Sequence, residues 1–422
     1  MPGYAWQDEI HGKQWDDMSK FKDVKNASYK MASSSGELRN KALEEIAKAL
    51  TEQKADIFFA NDSDMLAGSS LPAPILGRLR FDEHKLESCV EGINELIAMP
   101  DPVGRKEMVR ELDDGLTLVK TSTPIGVIGV VFESRPDALV QIAALCIKSG
   151  NAVVLKGGSE AGNSNRKLFD TIYEAGISAG LPSDFAMLIE DREGVKEMLG
   201  CHEYIDLVIP RGSNEFVQYI MANTKIPVMG HADGICSIYV DKSADIAKAA
   251  KIIADAKEQY VSACNAAEML LIHEDVDADV LLSFIKENAE HEISFNPDGE
   301  YKEYLDYEMS VRRVKDVAEA VSLINQNGSH HTEAIMTEDG EVAEFFMDNV
   351  DSAGVYWNCS TRFADGYRYG FGAEVGISTA KIHARGPVGL DGLLTYKYKL
   401  YGSGQTVGEY ANGEKQFHFK DI

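Results

Sequence analysis

Cys264 lies within Lys257–His273, KEQYVSACNAAEMLLIH, between two segments of different period. Upstream, Ile246, Ala249, Ala250 and Ile253 recur at helical spacing, which predicts an amphipathic helix over 245–259. Downstream, 267–273 is a short apolar run that predicts a buried strand. Ser262, Ala263 and Asn265 flank the cysteine, so the join is a turn of small residues with its N–H groups turned to open space. A thiolate in such a turn attacks a carbonyl carbon, and the N–H groups hold the oxyanion. On this stretch alone a buried structural cysteine stays open, because free Cys also packs as a small hydrophobe.

Three other groups of residues carry chemistry. The run 151–160, NAVVLKGGSE, ends a predicted parallel strand on Lys156, Gly157, Gly158 and Ser159. Ligands of open α/β sheets bind at that strand edge. Glycines there admit a close backbone, and Lys156 suits an adenosine ribose or its 2′-phosphate; the alternative is an ordinary loop with a solvated lysine. No GxGxxG follows any predicted strand, so the dinucleotide fingerprint is absent. Pro210-Arg211-Gly212-Ser213 opens a helix whose first N–H groups suit a pyrophosphate, or are merely capped. Asn358, Ser360, Thr361 and Arg362 in NCSTR, with Arg385 in ARG, combine arginine forks with hydroxyl and amide donors, a kit for phosphate or carboxylate. Each arginine alone reads equally as a surface ion pair. Gly370–Gly376 predicts a loop with positive φ at its glycines, and His383 reads as a capping histidine.

The elements that must position these residues follow from periodicity. Residues 1–30 are weakly patterned. Ser34 and Glu37 have capping-box spacing ahead of Leu43, Ile46, Ala47 and Leu50, and a second helical region spans 81–98. Residues 107–122 read as a hairpin about Asp113-Asp114-Gly115, too small to stand alone. From 124 onward short apolar strands (125–132, 152–155, 185–189, 204–209, 226–229) alternate with helices, including 136–148 and 161–179. A second alternating set starts at Ile235 and runs through 311–314, the helix 316–326, 334–336 and 355–357. Such alternation predicts parallel, doubly wound sheets. The tail 394–401 alternates, with Leu394, Tyr396, Tyr398 and Leu400 on one face, and predicts a half-buried strand.

The totals bound the rest. A chain of 422 residues, 44% hydrophobic, predicts two or three domains. The polar, acidic start is unlike a signal peptide and no run suits a membrane span, so the expected location is the cytoplasm. Six cysteines without CxxC spacing argue against a disulfide framework and against a structural metal. A net charge of −26 disfavours nucleic acid and anionic membranes as partners.

Taken together, PIGVIGVVFESRPD (124–137), GNAVVLKGGSEA (150–161), YIDLVIPRGS (204–213), SACNAAE (262–268), WNCSTRFADG (357–366), FGAEVGIST (371–379) and KIHARGPVGLDGLLTYKY (381–398) resemble the aldehyde dehydrogenase superfamily. Within it the resemblance is to the gamma-glutamyl phosphate reductase family, over about residues 26–401. The resemblance implies an α/β, aldehyde dehydrogenase-like fold with two doubly wound α/β domains. Residues 1–105 and 123–229 would bind NADPH/NADP, 230–388 would be catalytic, and 106–122 with 389–422 would form a hairpin-and-strand oligomerisation arm. It implies Cys264 as nucleophile beside Asn265. Lys156, Gly157, Gly158, Ser159, Gly212, Ser213 and Glu308 would hold the cofactor. Asn358, Ser360, Thr361, Arg362 and Arg385 would hold the substrate, L-glutamyl 5-phosphate. A homo-oligomer and a transient contact with glutamate 5-kinase are the implied partners. The alternatives are a coenzyme A-acylating aldehyde dehydrogenase and a non-catalytic scaffold for that kinase. Four features depart from the family pattern or from its hydrolytic relatives. Tyr260, Val261 and Ala263 replace Arg, Pro and Thr, and Ser237 replaces a histidine. The stretch 230–236 has no glutamate to activate water against a thioester, which suits reduction over hydrolysis. Ser134 stands where hydrolytic relatives carry an oxyanion asparagine.

Overall fold

The computed structural model describes residues 7–133, 135–212, 214–230, 233–371, 374–381 and 384–422, with side chains from residue 20 onward except 73 and 74. The chain divides into two compact units, Met1–Gly212 with Ile220–Val228 and Gly389–Ile422, and Ser213–Tyr219 with Met229–Val388.

The first unit is built on four parallel strands in the order Ala186–Leu188, Ala152–Lys156, Val127–Phe132, Leu207–Arg211. The expected strand at 226–229 reduces to a single bridge between Val208 and Val228. The crossover helix Pro136–Lys148 starts on a proline, whose fixed φ suits the first helical turn, and buries twelve of its thirteen residues. A helix so enclosed needs no polar face, which explains its run of apolar residues. The second crossover helix, Gly162–Ala179, ends on Gly180 at φ 110°, a left-handed cap that favours glycine.

The N-terminal region is more regular than its weak pattern, and the expected cap at Ser34 is corrected. Residues 7–33 form a continuous helix whose Phe21, Val24, Ala27 and Met31 are fully or almost fully buried. The weak pattern had hidden this narrow apolar stripe. The next helix, Gly36–Glu52, is capped by Ser35, which accepts from Leu38 N–H, while the Ser34 hydroxyl donates back to Met31 O.

The hairpin Lys106–Asp113 and Leu116–Pro124 turns at Gly115, with φ 69°, and joins Leu394–Tyr401 and Lys420–Asp421 in a four-stranded sheet. Asn151 anchors the approach to the tail strand, donating to Leu393 O at 2.8 Å while accepting from Gly126 N–H. The tail strand is not half-buried. It pairs with Leu116–Pro124 along one edge, and beyond Leu394 all its residues are exposed, including Tyr396, Tyr398 and Leu400 at 50, 57 and 58%. Its alternation therefore marks an apolar face left exposed among the described residues.

The second unit is a six-stranded parallel sheet in the order Gly354–Trp357, Thr332–Met336, Cys236–Val240, Ala267–His273, Glu308–Val314, Ser294–Pro297. Successive side chains of a strand face opposite ways. Ile238, Val240, Leu270 and Ile272 pack with Ala249, Ile253, Leu281 and Ile285 of the helices Ile246–Glu258 and Ala278–Asn288. Tyr239, Met269, Leu271 and Ile335 pack the other way on Ala320, Ile324 and Phe346 of Val317–Asn327 and Gly340–Asn349. Cover on both faces accounts for the burial of every residue of Ala267–His273. Truncating Leu271 there costs about 2–5 kcal/mol. The one acid in that run, Glu268, is fully buried with Lys257 as ion-pair partner at 2.6 Å.

Candidate active site

The helix Ile246–Glu258 and the strand Ala267–His273 meet in the turn that carries Cys264. Ala263 N–H bonds Tyr260 O and Ala266 N–H bonds Ala263 O, which leaves the N–H groups of Cys264 and Asn265 uncommitted among the described residues. The turn is held from below. Gly234 lies against it so closely that a Cβ would overlap the main chain of Cys264. The Cys236 thiol donates to Cys264 O at 3.3 Å.

The segment 358–366 is stitched over the turn. Thr361 Oγ1 donates to Asn265 O at 2.7 Å, and Asn265 Nδ2 donates to Ala364 O at 2.9 Å. Both hydrogen bonds are buried, and removing one partner of such a bond costs about 1–3 kcal/mol. Arg362 is 8% exposed; its Nε donates to Gln259 Oε1 at 2.9 Å and its guanidinium stands 6.0 Å from the ring of Tyr260. Ser360 Oγ accepts from Arg362 N–H, and Arg368 Nη1 donates to Arg362 O. Cys264, Asn265, Ser360, Thr361 and Arg362 thus belong to one constellation.

Two expected substrate residues are committed elsewhere. Asn358, at φ 54°, donates to Thr337 O and accepts from Thr337 N–H, which holds the end of strand Thr332–Met336. Arg385 pairs with Asp351 at 3.1 Å and donates to its carbonyl, and Lys381 takes the other Asp351 oxygen.

The charges around the nucleophile oppose each other. Burial pushes the Cys264 thiol up to about 12; the carboxylates of Glu374 and Glu303 push the same way, while Arg362 and the N–H of Cys264 itself favour the thiolate. Glu374 Oε2 accepts from Gly366 N–H at 2.8 Å, and Glu303 Oε1 accepts from Gly234 N–H at 3.0 Å. Burial also raises Glu303 above the usual carboxylate range. Sequence reasoning missed Glu303, Glu374, Gln259 and Cys236. The acid inside FGAEVG was the readable signal for Glu374; nothing in the sequence tied Glu303 to Gly234. The departure at Ser237 is buried, its N–H donating to Glu333 at 2.5 Å, and Tyr260 is half-exposed beside Arg362.

In the first unit, Lys156 is buried and its ammonium bonds the carbonyl of Gly157. Burial lowers its pKa, against the pull of Glu160 and Asp191. A Cβ on Gly157 would overlap Asn165 Nδ2, and one on Gly158 would overlap the Glu160 carboxyl. A buried cation with a carbonyl partner, on a glycine loop closely backed by the Asn165 and Glu160 side chains, fits the sugar end of a nicotinamide dinucleotide. Ser159 begins the short 3-10 turn Ser159–Ala161 and is exposed. A Cβ on Gly212 would meet the Glu133 carboxyl at 2.9 Å. Glu308, in the second unit, bonds Asn296 Nδ2. Ser134, Ser213 and His383 lie outside the described residues. Gly370 and Gly376 of the glycine loop have φ of 77° and 156°.

Residues 12–297 match the model of the aldehyde dehydrogenase family. The chain is 53% identical to a gamma-glutamyl phosphate reductase of Pelotomaculum thermopropionicum, over 94% of this chain and 96% of that one. It is 52% identical to one from Acetivibrio thermocellus, over 93 and 95%. Among solved structures, the gamma-glutamyl phosphate reductase of Thermotoga maritima superposes with a TM-score of 0.89 at 36% identity, covering 92% of this chain and 99% of that one. The motifs about Cys264 therefore sit in a matching fold over nearly the whole length, and the chain belongs to the aldehyde dehydrogenase family, in its gamma-glutamyl phosphate reductase branch.

Proposed function

We propose that this chain reduces L-glutamyl 5-phosphate to L-glutamate 5-semialdehyde and phosphate, as a step of proline biosynthesis in the cytoplasm. The observation that carries the mechanism is the Cys264 turn, with two uncommitted N–H groups and a buried Arg362 held on Gln259. The Cys264 thiolate adds to the acyl carbon, the N–H groups of Cys264 and Asn265 hold the oxyanion, and the C–O bond to phosphate breaks to leave a thioester. Arg362 takes the departing phosphate, with Ser360 and Thr361 shaping the loop that holds it. Arg385 and Asn358, tied to Asp351 and Thr337, support the site rather than touch the phosphate. Bound NADPH supplies the hydride that reduces the thioester. The resulting hemithioacetal is held by the same N–H groups; its C–S bond breaks, the aldehyde leaves and Cys264 is restored.

Lys156, Gly157, Gly158 and Gly212 would hold the dinucleotide. Ser159, being neutral, leaves Lys156 to bond a 2′-phosphate, an interaction worth roughly 1.5–3 kcal/mol. The exposed face of Leu394–Tyr401 suits a second copy of the chain.

The test is Cys264→Ala beside Cys201→Ala, assayed as phosphate-dependent formation of NADPH from glutamate semialdehyde. Loss of turnover with retained NADPH binding is expected for the first variant alone. Substantial activity in Cys264→Ala would exclude the covalent route, and coenzyme A replacing phosphate as acceptor would favour the acylating alternative.

A further inference from the structure

We propose that Glu160, rather than Ser159, limits how strongly this chain prefers NADPH to NADH, by holding a carboxylate where the adenosine 2′-substituent meets Lys156. The inference rests on the reading of the Lys156 loop as the adenosine-ribose site.

The turn Ser159–Ala161 sends these neighbouring side chains in different directions. Ser159 is exposed, whereas Glu160 is partly buried, its carboxyl folded back over Gly158. Among the charges acting on Lys156, Glu160 is the leading one that favours the ammonium. The lysine that would bond a 2′-phosphate therefore already has an anion beside it.

The adjoining cavity, of about 560 Å³, sharpens the point. Its lining includes Ser159, Glu160, Asp64, Arg166 and Glu190. Among the described lining residues Arg166 is the sole cation, and it is paired with Glu190. The N–H groups of Asn163 and Ser164, the donors that a phosphate would seek at the start of helix Gly162–Ala179, both go to Asp64. With Arg166 held by Glu190 and these N–H groups held by Asp64, the charged side chains of the lining sum to net negative, which opposes a phosphate dianion more than a neutral ribose diol. Neutral Ser159 removes one obstacle to NADPH; Glu160 puts another in its place.

The test uses two probes that differ only in the 2′-phosphate, adenosine 2′,5′-bisphosphate and 5′-AMP, titrated calorimetrically into the full chain. Glu160→Gln is expected to tighten the bisphosphate by about ten-fold, and to weaken 5′-AMP or leave it unchanged, since one opposing charge at close range is worth at least that factor. Glu160→Ala gives the same sign without the amide. Lys156→Ala serves as the marker of the site. If Lys156→Ala weakens binding while both Glu160 variants keep the wild-type ratio of affinities, the role of Glu160 is overturned and the site stands. If Lys156→Ala changes neither affinity, the site reading and this inference fall together.

Discussion

The thiol of Cys264 should be almost fully protonated in the free protein, and that can be measured. A shift from 9.0 to about 12 is three units, or about 4 kcal/mol against the thiolate. At pH 8 the ionised fraction would be roughly one in ten thousand, against one in ten without the shift. Alkylation by iodoacetamide requires the thiolate. The rate at Cys264 should therefore rise about ten-fold per pH unit from 7 to 10 and show no plateau. Peptide mapping by mass spectrometry separates Cys264 from Cys359, the other partly exposed cysteine. The neighbours then set the direction of each variant. A unit charge 4–8 Å away at an effective dielectric of about 20 is worth about 2–4 kcal/mol. Arg362 is already shared with Gln259 and Glu374 with the Gly366 N–H, so about ten-fold is the expectation for each. Glu374→Gln removes a repelling carboxylate and should speed alkylation at any fixed pH; Arg362→Ala removes the attracting cation and should slow it. A plateau below pH 9 in the wild-type protein, or slower alkylation in Glu374→Gln, would refute this account of the site. The same sign carries to catalysis: the reactive form gains with rising pH.

Two further predictions concern stability and assembly. Glu333 is fully buried with hydrogen bonds from Ser237 and Ser352, and burial pushes it up to about 8. Its folded pKa lies above its unfolded value near 4.5, so its stabilising effect is present below pH 4.5 and is lost as pH rises through 8. The difference of 3.5 units gives about 5 kcal/mol at most, and Glu333→Gln should become more stable relative to wild type between pH 5 and pH 9 in urea titrations. The idea fails if that stability difference is the same at both pH values. In the tail strand, Tyr398→Ser with Leu400→Ser should reduce the mass of the assembly in light scattering. Monomer stability should stay within about 0.5 kcal/mol, as exposed positions allow; an unchanged mass would detach this face from assembly.

The parts of the fold that were legible share one property: the signal was local. Helix Pro136–Lys148 and strands Ala267–His273 and Leu394–Tyr401 lie at the residues periodicity gave them, because apolar spacing and a proline at the first turn are properties of the segment itself. What period cannot give is the layer that covers a face. The tail strand alternates like a half-buried strand, yet its Tyr and Leu side chains are open, since burial belongs to whatever lies opposite. The long helix Gln7–Ser33 failed in the reverse sense: its polar length conceals four apolar positions that the first unit buries.

The site divides along the same line. Cys264, Asn265 and the segment 360–362 were readable because a small-residue turn and an NCSTR run announce themselves. The absence of a glutamate in 230–236 was readable too, but its meaning was not. Gly234 lies under the Cys264 main chain, and its N–H holds the carboxyl of Glu303, which comes from a loop almost seventy residues downstream. A carboxylate is therefore fixed to the residue that supports the nucleophile, although that stretch contains no glutamate. Its raised pKa, and the push it gives the thiol, follow from burial and proximity. Proximity across that many residues is a property of the fold. By sequence position 230–236 offers only Asp233 as an acid; the glutamate at the support of the nucleophile is brought there by the fold.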